Sequence, residues 1–232
     1  MELSKVTDPS ALDADAPLAD SIYDQLLDAI YQGRMPPGSV INEVAIAQEF
    51  GVSRGPVREA IRRLQGIQLV SRQPYVKARV ISLTAESALE LFELRMALEG
   101  MACNLAAKRM SDAEIDALLR ELEGDRHGAD EDDGAAPKVF DFHERIVRAC
   151  GNNRIIHQLC GDLYHLLRIY RRHSTRAVVE RKEDAYNEHW QIVQALKSRN
   201  GALAESLMRS HIGRAAENIA KQLDEKPSPA EA

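Results

Sequence analysis

The sequence predicts a mainly α-helical chain: a small N-terminal unit of three helices and a β-hairpin, then a longer all-α helical bundle. Three observations predict it. Aromatic residues make up only 5% of the 232 residues, whereas helix formers such as Ala, Leu, Glu and Arg are plentiful. Up to residue 66, helical patterns alternate with breaks at Gly33, Pro36-Pro37-Gly38 and Gly51, and two short strand patterns follow. From Leu83 to about residue 222, apolar residues recur at helical spacing, with no strand pattern and no internal repeat.

Residues 1–17 are acidic and rich in Pro and Ala, and are expected to be a disordered tail. A helix over 18–32 follows, with Ile22, Leu26, Leu27 and Ile30 as its apolar stripe and Gly33 as its stop. A second helix, 42–49, opens at Asn42. Phe50-Gly51-Val52 is the corner before the stretch GVSRGPVREAIRR, residues 51–63. Ser53 is placed to cap the third helix, and Pro56 sits in its first turn, where the missing N–H costs nothing. At 100° per residue Val57, Ala60, Ile61 and Leu64 share one arc, and Arg54, Arg58 and Arg62 share the next. Strands at Leu69–Arg72 and Lys77–Ser82, with Gln73-Pro74-Tyr75 as the turn, complete a winged helix-turn-helix over 18–82.

Charge gives this unit a partner. Residues 51–80 hold seven Lys/Arg and one acid, +6 in a chain of net −6, which leaves −12 for the other 202 residues. Such asymmetry points to an anionic partner for this segment alone. Guanidinium groups on one helix edge suit the major groove of double-stranded DNA, where they pair with guanine or clamp phosphates. Arg54 and Arg58 are expected at base edges, beside Ser53 and Gly55 of the same turn. Arg62 or Arg63 is expected on phosphates, and Arg72 and Lys77 on the backbone as part of the wing, with Arg79 a further wing candidate.

Past Ser82 the second half, 84–222, reads as helices only. Ser111 and Glu114 form a capping-box pattern, and 124–137 reads as an acidic, glycine-rich mobile loop. Further helices are expected at 138–150, 153–173, 178–199 and 201–222, with a loose tail at 223–232. The N-terminus has no signal-peptide pattern, and no stretch approaches the ~18 apolar residues of a membrane span. Cys103, Cys150 and Cys160 show no CxxC spacing and read as reduced thiols of a cytoplasmic protein.

The run from Tyr23 to Val80, with Gly33, Pro37-Gly38, Glu43, Ala47, Ser53-Arg54 and Pro56-Val57-Arg58-Glu59-Ala60, resembles the DNA-binding domain of GntR-type bacterial transcription regulators. Two positions depart from the family pattern. Lys77 stands where a wing glycine is usual, and Val44 where several relatives carry a basic residue. Leu91–Ala107, Phe142-His143 before Gly151-Asn152, and Glu188-His189 before Ala195-Leu196 resemble the all-helical effector (FCD) domain of the FadR-like branch.

That resemblance implies a homodimer, a small organic-acid effector and, in many members, a metal ion held by one Asp and three His. His143, His189 and His211 match the three histidines, each on a different expected helix. Imidazoles suit a divalent transition metal such as Zn or Ni. The Asp position, four residues before His143, is Val139, and Asp141 would lie about 200° round the helix from His143. Water, an effector carboxylate or another residue must then complete the shell, or the metal is absent. The histidines also allow direct anion binding, or plain core hydrogen bonding.

Arg95 has two readings, an internal pair with Glu99 at i+4 or a bidentate clamp on a ligand carboxylate. Asn187, beside the His189 turn, is a further candidate for the same pocket. His157, His165 and His173 drift by about 80° per step of eight and read as surface residues, and His127 as a loop residue.

The whole implies a ligand-responsive transcription regulator, more often a repressor, of a carboxylic-acid or sugar-acid operon with a palindromic operator. The chain is not expected to be an enzyme. The alternative is a metal-dependent hydrolase built on His143, His189 and His211, although no HExxH, nucleophile elbow or phosphate loop is present. A DNA-compacting protein would explain the charge but not the second half.

Overall fold

In the computed structural model, which describes residues 17–73, 75–127, 141–173 and 182–224, two compact units are built. Of the described residues, those from 17 to 83 form the first, together with 165–173; those of 84–127, 141–164 and 182–224 form the second.

The first unit rests on α1 (Leu18–Tyr31), α2 (Glu43–Glu49) and α3 (Arg54–Gly66). Ile22, Leu26 and Ile30 of α1 and Val57, Ala60, Ile61 and Leu64 of α3 are all buried. Burying such side chains is worth about 1.5–3 kcal/mol each, which holds α3 at a fixed angle. Asn42 caps α2 by accepting from the amides of Val44 and Ala45 at 3.2 Å. Gly51, at φ +64°, makes the corner between α2 and α3, a conformation that a side chain strains.

Two expectations fail here. Ser53 precedes α3 in extended conformation, but its hydroxyl makes no capping bond. The wing strands are shorter than predicted, β1 (Val70–Ser71) and β2 (Arg79–Val80), antiparallel with Val70 opposite Val80. The hairpin narrows early because a turn closes within it, Val76 N–H donating to the Gln73 carbonyl at 3.1 Å.

The second unit is all-α. Its central helix α4 (Ala85–Arg109) lies against α10 (Gly201–Asp224), with α5 (Asp112–His127), α6 (Phe142–Ala149), α7 (Asn153–His157), α8 (Tyr164–His173) and α9 (Lys182–Lys197) completing the helical order; α8 falls mostly in the first unit. At Gly201 an added Cβ would lie 2.9 Å from the Asn104 carbonyl oxygen, so only glycine allows α10 to start this close to α4. Ser111 and Glu114 form the expected reciprocal cap, Ser111 N–H to the carboxylate at 2.7 Å and Glu114 N–H to the hydroxyl at 3.3 Å. Helix α5 continues through Gly124 to His127, which is therefore helical rather than in a loop; the rest of the expected loop, 128–137, lies outside the described residues.

The single helix expected over 153–173 is broken by a π turn at Gln158–Asp162, with Leu163 N–H bonded to the Gln158 carbonyl at 3.0 Å. Buried Ile155, Leu159, Leu163 and Leu167 recur every four residues and would drift about 40° per step on a regular helix. A wide turn is the kind of local change that takes up such drift.

Candidate functional sites: an arginine edge and a histidine centre

On α3, the apolar arc that fixes the helix leaves Arg54, Arg58 and Arg62 on the adjoining edge, exposed by 52%, 53% and 74% of their side chains. A single carboxylate from α2 organises two of them. Glu43 accepts from Arg58 Nε at 3.0 Å, from Arg54 at 3.4 Å, and from Arg72 at the end of β1 at 2.9 Å. Burial raises the Glu43 pKa, but hydrogen bonds from Arg58 and Arg54 and the charge of Arg72 outweigh it, so the group stays ionised below the usual range. Three guanidinium groups carry fifteen N–H donors between them, and one carboxylate can take about four. The remainder point elsewhere, and the cluster keeps a charge of +2.

Arg62 pairs with Glu59 at 2.6 Å and remains open. Lys77 is exposed in the wing, while Arg79 donates to the Gly38 carbonyl at 2.9 Å. Arg63 departs from expectation. It lies on the α1 flank, paired with Asp20 and stacked 4.0 Å over the Tyr23 ring, and so braces α3 against α1.

In the second unit, α6, α9 and α10 bring His143, His189 and His211 together. His211 Nε2 lies 3.2 Å from both His189 Nε2 and His143 Nε2, and the three ligand atoms fall within 4.8 Å of one another. Helix α6 begins only at Phe142 because Asp141 caps it, accepting from Glu144 N–H at 3.0 Å. Asp141 is therefore the N-cap, not a residue on the far side of a helix. Val139 and the expected start at 138 lie outside the described residues. Phe142 stacks on His189, with centroids 4.0 Å apart.

The other ring nitrogens are also engaged. His143 Nδ1 lies 2.6 Å from Glu99, and His211 Nδ1 lies 2.5 Å from Glu188. Burial raises the Glu99 pKa, yet Arg95 and His143 more than offset that, holding the group well below the carboxylate range. His211 is pushed down to about 4, first by burial, against the bond from Glu188.

Ionised carboxylates only accept, so His143 and His211 donate from Nδ1, and Nε2 of each is the atom left to face the other ring, 3.2 Å away. When both rings are neutral, two bare Nε2 atoms at that distance call for a cation between them, a proton or a metal ion. Tetrahedral Zn–N bonds of about 2.0–2.1 Å imply N···N edges of roughly 3.3 Å, close to the two separations that His211 makes, with all three atoms within 4.8 Å. The three histidines therefore fit a transition-metal ion, and they leave a coordination position for a further donor.

Sequence comparison decides the family. Residues 18–80 match the bacterial regulatory proteins of the gntR family, and residues 90–214 match the FCD domain. The chain belongs to the GntR family. An HTH-type transcriptional regulator of Bacillus subtilis, YdhC, is 30% identical over 94% of this chain and 98% of its own length. A probable D-xylose utilization operon transcriptional repressor of Paenarthrobacter nicotinovorans is 30% identical over 84% of this chain and 85% of its own. A GntR regulator from Rhodococcus sp. RHA1 superposes with a TM-score of 0.64 over 88% of this chain and 97% of that one, at 22% identity, a likeness in fold alone. This GntR protein is a DNA-binding transcription regulator and not an enzyme, and the hydrolase alternative falls with that assignment.

Among the remaining expected site residues of the GntR chain, Ser53 and Gly55 are exposed at the start of α3. Arg95 is 4% exposed and takes the internal reading, its Nε donating to Glu99 at 2.6 Å. Asn187 is exposed; its neighbour Glu188 is the residue that meets His211. His165 is no plain surface residue, since it is half-buried and bonded to the Tyr31 hydroxyl, whereas His157 is exposed. The side chain of His173 lies outside the description. Sequence reading named Glu43 and Glu188 only as motif positions and Glu99 only as the i+4 partner of Arg95; it did not foresee that they organise the arginines and histidines. No helix among the described residues is long and apolar enough to cross a membrane.

Proposed function

We propose that this chain is a cytoplasmic, homodimeric repressor that releases or engages a palindromic operator in response to a small organic acid, in a carboxylic-acid or sugar-acid operon. The supporting observation is the partition of chemistry: an open cationic edge in one unit and a half-buried histidine centre in the other. Residues 18–82 serve as the DNA-binding part and 84–222 as the sensing and dimerising part. Two copies of α3 read the half-sites, with dimer symmetry setting their spacing. Arg54 and Arg58 contact base edges, beside Ser53 and Gly55. Arg62, Arg72 and Lys77 contact phosphates.

His143, His189 and His211 hold a divalent transition metal such as Zn or Ni, which supplies a Lewis-acidic position for a carboxylate. Arg95, paired with Glu99 behind His143, supports that ligand from within. The effector acts only by binding one arrangement of the dimer better than another. The relative named for a D-xylose operon supports a repressor of carbon-source genes. The decisive experiment is footprinting of the upstream region of the chain's own gene. Arg58→Ala is expected to weaken specific binding by ~1–3 kcal/mol. An unchanged footprint would overturn the placement of α3.

A further inference from the structure

The histidine centre is flanked by two matching chains of hydrogen bonds. In one, Arg95 Nε donates to Glu99 at 2.6 Å and the other carboxylate oxygen meets His143 Nδ1 at 2.6 Å. In the other, Arg214 Nε lies 2.8 Å from Glu188, whose second oxygen meets His211 Nδ1 at 2.5 Å. Each carboxylate divides its oxygens between an arginine and a histidine. Each chain also joins two helices, α4 to α6 in the first and α10 to α9 in the second.

The geometry assigns Glu99 and Glu188 as paired positioning residues that fix the Nδ1–H tautomer of His143 and His211, so that both Nε2 lone pairs face one metal ion. This assignment rests on the reading of the three histidines as metal ligands. An imidazole ligates through a bare nitrogen, and the hydrogen bond at its other nitrogen decides which one is bare and how the ring is turned. Glu99 and Glu188 make that choice before any ion arrives. The arginines give the arrangement its second property. With one oxygen held by a guanidinium, neither carboxylate can swing inward to become a ligand, so the set stays three imidazoles plus an external donor. Glu99, at 3% side-chain exposure, is the deeper of the two, and Glu188, at 12%, lies nearer the surface with the half-exposed Arg214.

The test is Co2+ titration of the metal-free full-length protein, followed by visible absorption, alongside imidazole 15N NMR of the same samples. Wild type is expected to take one Co2+ per chain, and His211→Ala to lose that binding. Glu188→Gln and Glu99→Gln are each expected to lower Co2+ affinity by about 10–100-fold. In the metal-free protein, Glu188→Gln should move the His211 signals from the Nδ1–H form toward the Nε2–H form, which a merely structural role would leave in place. Glu99→Gln strands Arg95 in the interior; should it fail to fold, Arg95→Met/Glu99→Gln removes the stranded charge, and Glu188→Gln decides independently. If wild type binds Co2+ through His211 while the glutamine variants match its affinity and tautomers, the positioning role is overturned and the metal centre stands. If wild type binds no Co2+, or His211→Ala binds it equally, the metal centre itself is wrong and the assignment goes with it.

Discussion

At the scale of single residues, three acids do work that the sequence hardly advertised. Glu43 gathers Arg54, Arg58 and Arg72, so part of the cost of ordering three long side chains is met before DNA is reached. Glu43→Gln should raise the local charge by one and loosen the three guanidinium groups. Binding to random-sequence DNA is then expected to strengthen, while the ratio of operator to random binding falls several-fold. Parallel gel shifts on both DNAs read this directly. The arginines themselves were legible from helical spacing. Their anchor was not, because a contact from α2 to α3 to β1 has no period. Arg63 shows the converse: its position beside Arg62 suggested DNA, and Tyr23 and Asp20 claim it.

His211 carries a pH prediction. Its folded pKa, about 4, lies below the ordinary 6.5, so in the metal-free protein the unfolded chain binds more protons between those values. Stability is therefore complete above pH 6.5 and falls as pH drops toward 4, by a total on the order of 3 kcal/mol. Glu99 adds to the loss below about pH 4.5, since its depressed pKa stabilises the fold only while the group is ionised. Urea midpoints from pH 7 to 4 on chelator-treated protein check the sign. His211→Gln should flatten the upper part of the curve.

At the scale of elements, boundaries were readable wherever a cap or glycine stands in the local sequence, as at Asn42, Gly51 and Ser111. They were unreadable where tertiary contacts decide. The π turn at Gln158–Asp162 follows from four-residue spacing of buried leucines, a pattern that a helical reading accepts without complaint. The start of α6 was placed early because Asp141 was read as helical rather than as its cap. Gly201 offers an element-scale test. Gly201→Ala puts a methyl 2.9 Å from the Asn104 carbonyl and is expected to cost about 1–3 kcal/mol through displacement of α10. Thermal unfolding measures that cost, and a variant as stable as wild type would mean that the α4–α10 approach is not tight.

At the scale of the molecule, the division of labour was visible in charge alone, +6 over residues 51–80 against −12 over the rest. The fold class followed from two hydrophobic periods and a few punctuating residues. The inner geometry of the helical unit did not, because its histidines come from three helices whose relative rotation no local pattern encodes. What the sequence did supply was the residue types and a resemblance to the FCD pattern, and the two together named three ligand candidates but not the role of the acids behind them.

The two Arg–Glu pairs beside the histidines have a last consequence. Each sets one positive charge against one negative, and imidazoles ligate a metal only as neutral rings, so the protein groups around a bound ion would sum to about zero. A divalent ion seated there brings a surplus of two positive charges into a region of low polarity, and only what enters from outside can neutralise it. Such a centre would discriminate by ionic sign ahead of shape: sugars without an acid group would be turned away, and doubly ionised acids would be held most firmly.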